Sequence, residues 1–130
     1  MVNSGALQYQ QVLNQEAIYG ASPHRLIQML MEGALQRMAE AKGAMQRQDI
    51  AQKGMAIGKA VSIIGGLRDS LDLDVSGGLS QRLDNLYDYM VSCLTRANID
   101  GDESKIDAAA QSLITIKSAW DAIASQVESD

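Results

Sequence analysis

Between Ser22 and Val127, apolar residues recur at intervals of three and four in four runs, parted by short breaks rich in Gly and Asp. That period keeps a run on one face of a helix, and a strand's period of two is absent. The first run is Ile27, Leu30, Ala34, Met38, Ala41 and Met45. The second is Ile50, Gly54, Ile57, Val61, Ile64, Arg68 and Leu71, with Arg68 as its only charge. The third carries Leu79, Leu83, Leu86, Met90, Leu94 and Ala97, and the fourth Ile106, Ala109, Leu113, Ile116, Trp120, Ile123 and Val127. Each face has to be buried against the others, and short breaks make sequence neighbours antiparallel. The expected fold is all-α: an antiparallel four-helix bundle over residues 22–127, preceded by an N-terminal arm or short cap helix over residues 1–21.

Capping chemistry sets the boundaries. Ser22-Pro23 reads as N-cap followed by N1, because the hydroxyl accepts a free backbone donor and Pro lacks the amide hydrogen that position leaves unused. Helix one then runs from Pro23 to about Arg47. Asp49 with Gln52 resembles a capping box for a second helix ending near Leu71, before Asp72, Asp74 and Ser76-Gly77-Gly78. A third helix is expected from Leu79 to about Asn98. Asp100-Gly101-Asp102 breaks the chain, with Asp102 as cap and Glu103 placing negative charge in the first turn of helix four.

At 130 residues the chain can bury a core without staples. Its lone cysteine, Cys93, cannot form an intrachain disulfide and reads as a small buried side chain in a reducing compartment. Neither a signal-peptide pattern nor a long uncharged apolar run is present, so the expectation is a soluble cytoplasmic protein without membrane insertion. A formal net charge of -5, with scattered Lys and Arg, removes the electrostatic basis for nucleic-acid binding. Phe is absent, whereas Met29, Met31, Met38, Met45, Met55 and Met90 populate the helices, as core filling or as an adaptable binding surface.

Residue counts exclude most chemistry. His24 is the only histidine, which rules out a two-histidine metal site, a glutamate-bridged di-iron bundle and a Cys/His nucleophile pair. Histidine phosphotransfer bundles have similar size but present an exposed histidine in mid-helix, whereas His24 sits at the second helical position. Asp100-Gly101-Asp102-Glu103-Ser104 begins like a calcium loop, yet its sixth position is Lys105 and its twelfth Gln111. Gly65-Gly66 follows no strand, so it is no phosphate loop. A binding body remains, with a phosphotransfer bundle or a generic helical adaptor as its readings.

Glycines inside a helix cost about 1 kcal/mol each relative to Ala, so Gly54, Gly58, Gly65 and Gly66 need a reason. Either a neighbouring helix approaches closely, or Gly58 and Gly66 flank a shallow channel for a client helix. On helix three, Tyr87 falls at the edge of the core arc and Tyr89 points away, near Arg82 and Arg96, so Tyr89 is the surface candidate. Trp120, on the fourth stripe, reads as structural, with an indole N–H that requires a partner. In the arm, Ala6, Leu7, Tyr9 and Val12 either tuck onto the bundle as a lid or meet a partner.

The arm Ser4-Gly5-Ala6-Leu7-Gln8-Tyr9-Gln10-Gln11-Val12 and the segment Ala21-Ser22-Pro23-His24-Arg25-Leu26-Ile27-Gln28-Met29-Leu30 resemble the N-terminal half of the flagellar secretion chaperone family. The resemblance continues through Gly33-Ala34, Asp49-Ile50, Lys53-Gly54, Ile63-Ile64, Leu71-Asp72, Leu86-Tyr87-Asp88-Tyr89-Met90, Ala97-Asn98 and Ala119-Trp120. Met31 stands where an aromatic is common and Val2 where a tyrosine often sits. The resemblance implies a four-helix bundle that uses no nucleotide or other cofactor. It implies binding of the disordered C-terminal segment of flagellin, protection from premature polymerisation and delivery to the export gate of the flagellar type III apparatus. In some members it also implies contact with the anti-sigma factor of flagellar regulation. Carried over by position, Tyr9 and Ala6 are the arm's client contacts.

Overall fold

The computed structural model describes residues 21–73 and 77–123. Four helices account for the architecture: α1 (Pro23–Gln46), α2 (Ile50–Asp69), α3 (Leu79–Asp100) and α4 (Glu103–Ala122). Each packs against its sequence neighbour, and α4 returns to α1, closing an antiparallel four-helix bundle.

The ends follow the capping chemistry. Ser22 Oγ accepts from the Arg25 N–H at 3.1 Å with Pro23 behind it. Asp49 Oδ1 accepts from the Gln52 N–H at 3.0 Å, and Asp102 Oδ1 from the Ser104 N–H at 3.0 Å and hydroxyl at 2.6 Å. α3 differs: its N-cap, Gly78, is left-handed at φ 87° and contributes no side-chain bond. It also runs to Asp100, two residues past the expected end, because Gly101 takes the left-handed position at φ 65° and returns its N–H to Ala97. Between α1 and α2 the turn is tight, with Gln48 at φ 58° and the Asp49 N–H bonded to the Ala44 carbonyl at 2.9 Å.

α1 and α2 form the most extensive helix pair. Both bury small residues: Gly33, Ala34, Ala41 and Ala44 on α1 and Ala56 and Ala60 on α2. Small side chains let two backbones approach closely, so the contact is long and continuous. Met38, Ile57, Ile64, Leu67, Met90, Leu94, Ile106 and Leu113 complete the core.

Two apolar faces are rotated from their expected positions. On α2 the buried set is Ala56, Ile57, Ala60, Ile63, Ile64 and Leu67, so of the expected stripe only Ile57 and Ile64 are fully buried. Ile50 is 77% exposed, because it opens the helix at the α1–α2 turn, where no other helix covers it. α2 packs on both α1 and α3, and that demands a wider face than one stripe supplies. On α3, Tyr87 takes the core position between Leu83 and Met90, leaving Leu86 and Leu79 exposed. Met55 and Ile123 are also exposed, and Met45, Val61, Ile116 and Trp120 are partly buried against the core. Cys93 is half-buried, not buried.

Polar ties stitch the two hairpins together. Gln28 Nε2 donates to Asp121 at 2.7 Å, Lys42 to Asp107 at 2.7 Å and Gln46 to Glu103 at 2.9 Å across α1 and α4. Across α2 and α3, Arg68 forks onto Asp84 and Asp88, and Lys53 reaches the Asn98 carbonyl at 3.1 Å. Three carboxyls are thereby held below their ordinary value: Asp84 by Arg68, Asp121 first by Lys117 and then by Gln28, and Asp102 by the Ser104 hydroxyl and N–H.

A carboxyl whose folded pKa is depressed adds stability above its unfolded value, and that contribution is lost as pH falls through the folded value. The melting temperature is therefore expected to stay level from neutrality to about pH 5 and to fall below the unfolded carboxylate value of about 3.9. Asp102→Asn keeps a capping acceptor and should flatten part of that fall in a pH series of thermal melts. A fall of undiminished depth in the variant would remove Asp102 from the explanation.

Candidate client-binding site

The starts of α1 and α3 and the ends of α2 and α4 meet at one end of the bundle, and there the side chains grow large. Leu26, Ile27, Leu30 and Met31 of α1 face Leu83 and Tyr87 of α3 and Ile116 and Trp120 of α4. Ser70 and Leu71, just beyond α2, close the ring. At mid-bundle the alanines allow tight closure, but here a cavity of about 520 Å³ remains, with a wall that is overwhelmingly apolar. Its size falls within the roughly 300–1,000 Å³ of ligand-binding cavities. Pro23 lies on its rim.

Trp120 has two jobs in this wall. Its indole N–H donates to the His24 carbonyl at 3.0 Å, which supplies the partner the sequence required. The His24 ring stacks on the indole, 4.3 Å between centroids and 3° from parallel. Fixed in that way, the indole is half-buried and lines the cavity. His24 Nε2 is itself buried and has no hydrogen-bond partner among the described residues. Tyr87 is buried at the same wall, and burial pushes its hydroxyl up to about 12, so it stays neutral.

The candidates named from sequence are scattered. Ala6, Leu7, Tyr9 and Val12 lie outside the described residues. Gly58 is exposed and Gly66 half-buried on α2, and neither lines the cavity. A Cβ built on Gly54, Gly58, Gly65 or Gly66 meets no atom within 4 Å, so close approach of a neighbouring helix is not why these positions are glycine. Tyr89 is 48% exposed, as expected for the surface. It sits with Ser92, Cys93, Arg96, Ser104, Lys105 and Ala108 around a separate, more open hollow between α3 and α4. The neighbouring Cys93 thiol raises the pKa of its hydroxyl above that of a free phenol.

The cavity itself was hidden in the sequence, since each of its apolar lining residues reads as ordinary core. Among the described residues no helix is long and apolar enough to cross a membrane.

The chain matches the family model described as Flagellar protein FliS over residues 5–127. It is 50% identical over 116 residues to flagellar secretion chaperone FliSB of Pseudomonas aeruginosa, covering 89% of this chain and 92% of that protein. It is 42% identical over 120 residues to flagellar secretion chaperone FliS of Vibrio cholerae, covering 92% and 88%. With the chaperone of Salmonella typhimurium the identity is 38% over 118 residues, covering 90% and 87%. An apolar-mouthed four-helix bundle matched along nearly its whole length places this chain in the FliS family of flagellar secretion chaperones.

Proposed function

We propose that this chain is a cytoplasmic, nonenzymatic export chaperone that binds the disordered C-terminal segment of flagellin and seats apolar side chains of that segment in the cavity beside Trp120. The observation that carries the reading is the cavity: apolar, preformed and open at the bundle end formed by the starts of α1 and α3 and the ends of α2 and α4. Occupying the flagellin terminus blocks the contacts by which subunits polymerise and keeps the subunit exportable. The resemblance extends the proposal to the export gate of the flagellar type III apparatus and to the anti-sigma factor as further partners.

The energetics demand more than one anchor. Ordering a disordered client costs about 2–5 kcal/mol of the gross interaction energy, and burying one Leu-sized side chain returns about 1.5–3 kcal/mol. One residue in the cavity therefore roughly breaks even, and useful affinity requires contacts beyond it. The open α2 surface at Gly58 and Gly66 and the Tyr89 flank of α3 are the additional tracks. A helix laid over Gly58 meets backbone instead of side chain, which permits the close approach that the bundle itself does not use. Residues 1–21 form the arm: Ala6, Leu7, Tyr9 and Val12 cover the mouth until the client displaces them, or close over it afterwards.

A phosphotransfer role fits poorly, because an acceptor imidazole has to reach solvent. His24 instead stacks flat on Trp120 with Nε2 buried.

Calorimetric titration with the C-terminal segment of flagellin from the same organism tests the reading. Binding at roughly one-to-one stoichiometry with a large negative heat-capacity change is expected, weakened by Tyr9→Ala; no binding would overturn the proposal. Gly58→Ala is expected to raise unfolding stability by about 1 kcal/mol while weakening client binding. A stability gain at unchanged affinity would remove Gly58 from the client track.

A further inference from the structure

Arg68 is the one charge on the apolar stripe of α2, and the client reading gives it no part. Its Nε donates to Asp84 Oδ1 at 2.8 Å and its NH2 to Asp84 Oδ2 at 3.3 Å, while NH1 reaches Asp88 Oδ1 at 3.3 Å. One guanidinium thus grips two carboxylates a helical turn apart on α3, a geometry that the planar fork of Arg permits and the point charge of Lys does not. Asp88 is 71% exposed and Asp84 largely shielded.

The position of this fork matters more than its strength. Asp84 and Asp88 each adjoin a residue of the cavity wall, Leu83 and Tyr87, and Arg68 lies one turn before Leu71. The fork therefore ties the same turns of α2 and α3 that form one side of the mouth. α3 is also the only described helix whose start has no side-chain cap; it begins on Gly77 and Gly78, both left-handed. With the backbone there so permissive, a cross-tie from α2 is what registers the first turns of α3. An ion pair of this partly exposed kind is a poor source of net stability, which leaves geometry as its contribution.

We propose that Arg68 is a positioning residue for client binding: its fork onto Asp84 and Asp88 sets the spacing of α2 and α3 at the cavity mouth. The proposal rests on reading that cavity as the client site, but the width of the mouth can be measured without a client. Trp120 is the only tryptophan and lines the cavity, so acrylamide quenching of its fluorescence reports access to the mouth. Acrylamide is neutral, and salt does not alter its encounter with the indole.

Arg68→Met, which completes the apolar stripe, should keep a cooperative thermal transition yet about double the quenching constant as the open population grows. Asp88→Asn, at an exposed position, should give a smaller rise in the same direction. The wild type should respond to molar salt as Arg68→Met responds without it, because screening weakens the fork. Lys42→Met, which cuts the tie to Asp107 toward the other end of the bundle, should leave quenching unchanged. With the flagellin segment bound, Arg68→Met should speed client dissociation by roughly tenfold, equivalent to about 1.4 kcal/mol.

Quenching that ignores both Asp88→Asn and salt would overturn the proposal, as would an equal rise in Lys42→Met, which would mean general loosening. Wild-type protein that shows the salt-dependent quenching but binds no flagellin segment would sink the client reading and leave the fork's role standing.

Discussion

The seating of α1 on α2 through glycine and alanine is the contact on which the rest of the structure depends. Gly33, Ala34, Ala41 and Ala44 of α1 and Ala56 and Ala60 of α2 are small and buried, and α1 and α2 form the most extensive helix pair. α3 and α4 bring larger residues, Met90, Leu94, Ile106 and Leu113, into the same core. At one end Leu26, Leu30, Tyr87, Ile116 and Trp120 surround space that they do not fill. The cavity follows from that unequal distribution of volume, and no separate loop or insertion is needed to build it.

The protein's chemistry is that of a surface. With one histidine, one cysteine and carboxylates committed to caps and inter-helix ties, its side chains are arranged to hold a shape. Even the histidine serves structure: His24 stacks on Trp120, and its carbonyl accepts the indole N–H. An apolar cavity in a rigid frame suits a client that arrives unfolded, because the frame does not pay ordering entropy a second time.

Much of this was legible in the sequence. Helix number, order and starts followed from the three-and-four periodicity and from Ser22, Asp49 and Asp102, since capping is a local interaction that few residues can make. The faces were harder to read. Alanine carries little weight in an apolar count, so the α1–α2 contact went unseen and the α2 face was placed too far toward Ile50. Leu86 and Tyr87 are neighbours with similar claims on the core, and only packing against the other helices decides for Tyr87. Tyr89 was assigned to the surface correctly, because 100° per residue carries it away from Met90 and Leu94. The cavity left no local mark, for an empty space depends on what four distant segments fail to fill. The open space beside the α2 glycines, where a Cβ would meet nothing, likewise depends on how distant helices are placed.

On the proposed reading, client side chains enter the cavity beside Trp120. The most direct measurement is isotope-filtered NMR on unlabelled chaperone bound to a flagellin C-terminal segment with labelled methyl groups. Cross-peaks from client methyls to the Trp120 indole and the Tyr87 ring are predicted. A saturated complex whose client methyls contact only the outer faces of the helices, with the indole silent, would contradict the account.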